Sequence, residues 1–311
     1  MSFELKSING SRVSIKADQA VVVIKLGEQE LLLSTLDTSL NAVYRSPKLA
    51  PIDTLLARFC AVFPLSRRLK IYPRLVRAPD GSRFFVGDIL GFFTCYDDQY
   101  LRHEYELLSD FIPRKGWIIL DIGAHIGIYS IRVSKLVGDS GLVCAFEPNP
   151  LTYYWLRENV FLNGANNIRT FPIALGNKNR LMKLHVVLTG YTGLSSIMYD
   201  HIIRCQRKGA RVGEIKTITI PMYTLDYLVE KLNLPKRYDL VKIDVEGAEL
   251  NVLEGMRSLM QGHKIKRLVI EIHTDVIDEN QVLRILKKHH YRPMKLVSYG
   301  DNKKIGYFSI T

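Results

Sequence analysis

Cysteine is scarce. Four occur in 311 residues, Cys60, Cys95, Cys144 and Cys205, widely separated and without a Cys-x-x-Cys pair. That scatter argues against a zinc site and against a disulfide framework, and four reduced thiols in a cytoplasmic protein are the expectation. Long apolar runs are also missing. The best candidate for a membrane span, AVVVIKLGEQELLL, is interrupted by Lys25, Glu28 and Glu30, so no transmembrane segment is expected. The opening MSFELKSINGS lacks a charged-then-apolar leader, which argues against secretion. Acid is in short supply, with 31 Asp and Glu against 43 Lys and Arg, a net charge of +12 and a pI near 9.4. The basic excess suits an anionic partner such as nucleic acid, a phosphorylated sugar or a membrane surface. A solvated basic surface explains it equally well, because the densest group (Arg67, Arg68, Lys70, Arg74, Arg77) comes with no aromatic RNA-binding signature.

What is present has two textures. Residues 1–97 form a strand-rich accessory region: RVSIK, AVVVIKL and ELLLSTL alternate like strands. PIDTLLARFCAVFPLS reads as a short helix opened by Pro51. LVRAPDGSRFFVGD reads as a hairpin about Pro79-Asp80-Gly81. A helix is expected over Asp98–Phe111. From Trp117 strands alternate with helices. Strands are expected at 117–122, 142–146, 168–174, 238–244, 266–273, 291–297 and 304–310, and helices at about 127–137, 150–163, 223–232, 247–260 and 277–289. That rhythm predicts a Rossmann-like α/β domain over 98–311, with a seven-stranded, mostly parallel sheet and an antiparallel final strand. An insertion at about 180–220 carries two extra antiparallel strands, KLHVVL and TITIPMYTL, around a polar loop.

The first strand runs into IILDIGAHIGIYS. In such a sheet, ligands bind beyond the carboxyl ends of the strands, and Gly123 and Gly127 allow close backbone approach. The loop is not the nicotinamide fingerprint, since His125 stands where a second glycine is needed, and a Gly-Lys-Ser/Thr phosphate loop is absent. Asp121 would repel a pyrophosphate. It suits a ligand with positive charge and donor groups and no phosphate, such as S-adenosylmethionine. The second strand ends in VCAFEPNP, where Glu147 is placed to accept from both hydroxyls of a ribose.

These motifs resemble the class I S-adenosylmethionine-dependent methyltransferases and, more narrowly, the FkbM family. The resemblance rests on LDIGAHIGIYS, AFEPNP, LRENVFLNG, PIALGN, TIPMYTLDYL, LVIEIH and, most specifically, DLVKIDVEGAELNVLEG, over roughly 104–273. It implies that Asp121, Gly123, Ala124 and Gly127 line the methionine and ribose of the cofactor. Glu147 would hold the ribose, Pro148, Asn149, Ala174 and Leu175 would surround the adenine, and Glu104 would close over it. Removing the Asp121 or Glu147 carboxylate should then weaken cofactor binding with little loss of folding. S-adenosylhomocysteine would be the product.

KIDVEGAE puts Lys242 and Asp244 on one face of the fourth strand. Methyl transfer needs alignment, and an alcohol acceptor must also lose a proton to a nearby base. Asp244, Glu246 and His273 are the catalytic candidates, with His125 as another. Glu246 reads equally well as a helix cap. Asp244, Glu246, Glu271 and His273 would suit magnesium, but nothing in the spacing demands it, and a metal-free site is the expectation. Ser195 and Ser196 fall in the insertion, where substrate contact and loop composition explain them equally. The leading expectation is O-methylation of a small molecule or glycan, an anionic one being compatible with the net charge. RNA methylation is the second reading, against which stands the absence of an Asn/Asp-Pro-Pro-Tyr/Phe motif. A non-catalytic adenosine-ligand module is the third.

Overall fold

A computed structural model of the chain describes residues 2–6, 12–17, 21–26, 29–34, 43–44, 75–86, 89–188, 191–300 and 302–310. It divides into two compact units, Met1–Arg102 and His103–Thr311. In the first, β1 (Ser2–Lys6), β2 (Arg12–Ala17), β3 (Val21–Leu26), β4 (Gln29–Ser34) and β5 (Val43–Tyr44) form an antiparallel meander. β6 (Leu75–Arg77) and β7 (Arg83–Phe85) form the expected hairpin. In its turn Asp80 accepts from the Ser82 amide at 2.9 Å, and Gly81 takes φ +82°. The helix expected at 51–66 lies outside the described residues.

The second unit is built on a seven-stranded sheet. Its strands are β8 (Ile118–Ile122), β9 (Leu142–Phe146), β10 (Ile168–Phe171), β14 (Leu240–Ile243), β15 (Arg267–His273), β16 (Tyr291–Tyr299) and β17 (Lys303–Ile310), in the order β10-β9-β8-β14-β15-β17-β16. The first five are mutually parallel and β17 runs antiparallel to both neighbours. This is the seven-stranded, mostly parallel arrangement anticipated from the alternating pattern. β14 is buried along its whole length, and β8 and β15 are buried beyond their first residue, which is why these strands read as mostly apolar runs, with Asp121, Lys242 and Glu271 as their interior charges. A further sheet of β11 (Ala174–Leu175), β12 (Arg180–Val187) and β13 (Ile215–Tyr223) forms in the order β11-β13-β12. The strand expected at 168–174 is therefore two strands in two sheets, interrupted at Pro172, which has no N–H for a ladder.

Two local expectations fail. Asp98–Phe111 is not one helix. The backbone is helical at Ile89–Tyr96, takes a π turn at Asp97–Leu101, and returns only to a 3-10 turn at Ser109–Phe111. His103 adopts φ +50° between them, and Glu104 and Tyr105 are drawn into the interior. Burial of these polar side chains outweighs helical periodicity. The polar loop of the insertion also contains a helix, Tyr199–Arg207. No helix among the described residues is long and apolar enough to cross a membrane.

β8 lies between β9 and β14, so successive connections leave it in opposite directions and a crevice opens beyond its carboxyl end. Gly123 sits there at φ +81°, and a Cβ on it would fall 1.7 Å from the Asp244 carbonyl oxygen. The two loops therefore touch backbone to backbone, which only glycine permits. Gly123→Ala is expected to cost about 1–3 kcal/mol for the left-handed backbone alone, with the collision added. A urea midpoint equal to wild type would contradict the close contact.

Candidate active site

The site begins beneath the loop. Lys242 and Asp121 are register partners on β14 and β8. Asp121 is fully buried. Its Oδ2 accepts from Ser130 Oγ at 2.5 Å, and its Oδ1 lies 3.1 Å from Lys242 Nζ. Lys242 Nζ also donates to the Gly123 carbonyl at 2.8 Å and stands 3.6 Å from Asp244 Oδ2. Burial opposes charge on Lys242, but the Asp121 and Asp244 carboxylates outweigh it and hold its pKa above the ordinary value. Lys242 thus ties two strand ends and the glycine loop together. Its placement on the face of Asp244 follows from strand alternation.

At the next strand end, Glu147 is buried beyond β9. Its Oε2 accepts from the His125 amide at 2.8 Å and its Oε1 from the Asn149 amide at 2.9 Å. Burial raises its pKa, although these amides pull the other way. Asn149 caps the helix Pro150–Leu162 by accepting from the Leu151 amide. Gly123 and Ala124 both donate to the Phe146 carbonyl at 3.0 Å. Gly127 caps the helix Ile128–Val137 at φ +89°. Pro148 is half-buried, and Ala174 and Leu175 are buried in separate apolar clusters. The cofactor candidates at the first two strand ends therefore share one rim, with Asp121 beneath it. Glu104 is apart from a helix and fully buried, its Oε2 3.2 Å from Lys303 Nζ.

On the opposite side of the crevice the catalytic candidates converge. Tyr105 Oη lies 3.1 Å from Asp244 Oδ2 and 2.8 Å from Glu271 Oε2. Lys303 Nζ is 3.1 Å from the same Glu271 oxygen. Burial and the Asp244 charge raise the Glu271 pKa, against Lys303. His273 Nδ1 is 2.8 Å from Glu249 Oε1 and its Nε2 is 3.3 Å from Glu246 Oε2. His201, from the insertion helix, places Nε2 2.7 Å from the same Glu246 oxygen and Nδ1 3.0 Å from Asp275 Oδ2. Burial disfavours a charged ring at either histidine. Hydrogen bonds to Cys205 and Glu246 nonetheless raise His201 to about 10, and the Glu249 and Glu246 charges raise His273 well above its ordinary value. Burial works against the Glu246 carboxylate too, but the His273 charge and the His201 hydrogen bond hold its pKa well below the usual range.

Glu246 does not cap a helix through its side chain, and it sits at φ +52°. The side chain nearest the following helix start is Glu249, which accepts from the Gly247 amide at 3.1 Å. Ser196 Oγ donates to the Glu246 carbonyl at 2.6 Å, and Asn149 Nδ2 reaches Ser195 Oγ at 3.4 Å. The two serines thus tie the insertion to the ends of β9 and β14. His125 takes φ +51° in the glycine loop and is not among the groups that meet at Glu246. Sequence reasoning missed His201, Tyr105, Glu249, Asp275 and Lys303. His201 and Cys205 carry a one-turn spacing that was visible; the others are single polar residues that only the tertiary fold gathers.

The model of the methyltransferase FkbM domain matches residues 121–293, more than half of the chain. Among characterised proteins, methyltransferase sdnD of Sordaria araneosa is 28% identical over 202 residues, 59% of this chain and 76% of that one. Hexuronic acid methyltransferase AglP of Haloferax volcanii is 30% identical over 171 residues, 55% of this chain and 62% of that one. The chain therefore spans less than two thirds of the second relative. The solved structure of a methyltransferase FkbM from Methylobacillus flagellatus covers 84% of this chain and 59% of its own at 18% identity and a TM-score of 0.41.

The burial of Asp121 bears on the expectation that its loss would spare folding, because without it the interior charge of Lys242 is left to the part-exposed Asp244 at 3.6 Å. Breaking the pair from the other side, Lys242→Met should cost about 3–5 kcal/mol. Adding Asp121→Leu should recover most of that in urea unfolding. An equal loss in single and double variants would contradict the pair's role.

Proposed function

The chain belongs to the FkbM methyltransferase family, and on that premise we propose that it transfers a methyl group from S-adenosylmethionine to a hydroxyl of a small molecule or glycan. The single observation that carries this reading is the facing arrangement of Glu147 on one rim and the Asp244–Tyr105–Glu271 cluster on the other side of the β8–β14 crevice. When bound, the cofactor supplies a methyl group made electrophilic by a positive sulfur.

The residues fit such a ligand. Glu147 takes two backbone amides and a hydrogen bond from Thr152, which leaves lone-pair capacity on the carboxylate for a ribose hydroxyl. Asp121, held by Ser130 and Lys242, acts on the cofactor through the loop it supports, which Gly123 lets approach closely. Asn149, Pro148, Ala174 and Leu175 are proposed for the adenine side, and Glu104 for closure.

Asp244 is the proposed base. Its side chain is 25% exposed, whereas Glu271 and Glu249 are buried. Tyr105 and Lys242 engage Oδ2, leaving Oδ1 to take the hydroxyl proton as the acceptor oxygen forms its bond to carbon. Glu246 and His273 are proposed to orient the acceptor beside it. An acidic glycan is a natural candidate, given the net charge of +12 and a relative whose name specifies hexuronic acid.

Asp244→Asn is expected to lower turnover by about 100-fold or more, with S-adenosylmethionine affinity changed far less. Unaltered turnover would remove Asp244 from the chemistry. Glu147 binds ribose hydroxyls in its ionised form, and burial lifts its pKa. Cofactor affinity should therefore be full above that pKa and fall as pH drops through it, at a pH above that of an ordinary carboxylate. Glu147→Gln should weaken binding and flatten the profile; an identical profile in calorimetric titrations would sink the assignment.

A further inference from the structure

Two histidines and one carboxylate meet beyond the ends of β14 and β15. His201 Nε2 and His273 Nε2 both point at Glu246 Oε2, at 2.7 and 3.3 Å. Ligating atoms of these three residues lie within 4.8 Å of one another. The other nitrogen of each ring is held by a separate carboxylate, His201 Nδ1 by Asp275 at 3.0 Å and His273 Nδ1 by Glu249 at 2.8 Å. A metal-ligating histidine is oriented in just this way. A carboxylate behind Nδ1 fixes the tautomer and presents the Nε2 lone pair to the ion. Here the arrangement occurs twice, on elements far apart in sequence, with both lone pairs aimed at one point.

Charge points the same way. Glu246, Glu249, Glu271 and Asp275 bring four carboxylates around the two imidazoles, with Lys303 beside Glu271. Glu249 Oε2 and Asp275 Oδ1 are buried without a hydrogen-bond partner. With the carboxylates ionised and no cation bound, every contact of the cluster is a hydrogen bond when both rings carry two protons. Two such cations would then sit with ring centroids 4.9 Å apart. One divalent ion supplies the same charge at the point where the three ligands meet.

We infer that His201, Glu246 and His273 bind one divalent transition-metal ion of the zinc class, with at least one coordination position left for the acceptor oxygen. Imidazole ligands favour this class over magnesium, as does the Cys205 thiol 3.6 Å from His201 Nε2. Two histidines and a glutamate with an open fourth position make a site that lowers the pKa of a bound oxygen. Asp244, Glu271 and His273 also bring ligand atoms within 4.8 Å of one another, so an acceptor hydroxyl on the ion stands near the proposed base. The hydroxyl proton passes to Asp244. The oxygen lone pair forms the O–CH3 bond while the C–S bond breaks, its electrons returning to sulfur. This role rests on the methyl-transfer reading; the ion-binding site stands apart from it. It also departs from the metal-free site expected from sequence.

The test uses tag-free full-length protein, stripped with chelator and titrated with Zn2+ by calorimetry and with Co2+ by visible spectroscopy. The expected result is one equivalent per chain, with the intense d–d bands of a low-coordinate cobalt site. His201→Ala and His273→Ala should abolish it. Asp275→Asn, which keeps the shape of the side chain, should weaken it roughly 10–100-fold. Exposed His263 and His290 also stand near each other, at 5.8 Å between ring centroids. A His263→Ala/His290→Ala double variant should bind as wild type, and loss of binding there would overturn the assignment. So would wild-type protein that binds neither ion at micromolar concentration. Absent metal binding with intact S-adenosylmethionine binding would sink this inference and leave the methyltransferase reading standing. Metal binding with no cofactor binding would do the reverse.

Discussion

The second unit depends on one buried ion pair. Asp121 and Lys242 face each other across β8 and β14, where the direction of strand connection reverses. A charged pair in a sheet interior is a weak source of net stability, because desolvation offsets most of the attraction. Its value here is geometric. Lys242 donates to Gly123, pairs with Asp121 and stands 3.6 Å from Asp244, so the glycine loop, the strand beneath it and the acid at the neighbouring strand end are set by one ammonium group. Gly123 then brings the two loops into backbone contact. The base of the crevice is thus fixed by an electrostatic peg.

Above that peg, the two sides differ in how they treat carboxylates. Glu147 is held by two backbone amides and by Thr152, with the Lys242 charge also favouring its ionised form, the environment of a group that accepts hydrogen bonds from a neutral diol. Asp244, Glu246, Glu249, Glu271 and Asp275 are interleaved with Tyr105, His201, His273 and Lys303, the environment of groups that bind charge or move protons. The insertion takes part directly. Its helix carries His201, and Ser195 and Ser196 join it to both strand ends. Variation in that segment among relatives would therefore alter the surroundings of Glu246 and, through the Asn149–Ser195 contact, the end of β9.

Much of this was legible in the sequence. β8, β14 and β15 are buried on both faces, so their apolar runs ended where the strands end, and Asp121, Asp244 and His273 fell at the crevice by position alone. Strand alternation put Lys242 beside Asp244. The misses share a cause. The segment from Asp98 to Phe111 has helical spacing of apolar residues, but Glu104 and Tyr105 are recruited by Lys303, Asp244 and Glu271, partners well over a hundred residues away that no local pattern reveals. His201 lay in a stretch that read as a polar loop, because its partners Glu246 and Asp275 belong to other elements. Asp121 looked like a ligand contact for the same reason: its carboxylate character was visible, its burial against Lys242 was not.

The central claim is that the loop IGAHIG and Glu147 together form a cradle for a methyl donor. Titration calorimetry of the full chain with S-adenosylmethionine, S-adenosylhomocysteine and NAD tests it most directly. The account predicts saturable one-site binding of both sulfur ligands and none of NAD. Folded protein that binds neither sulfur ligand, or that binds NAD in their place, would contradict it.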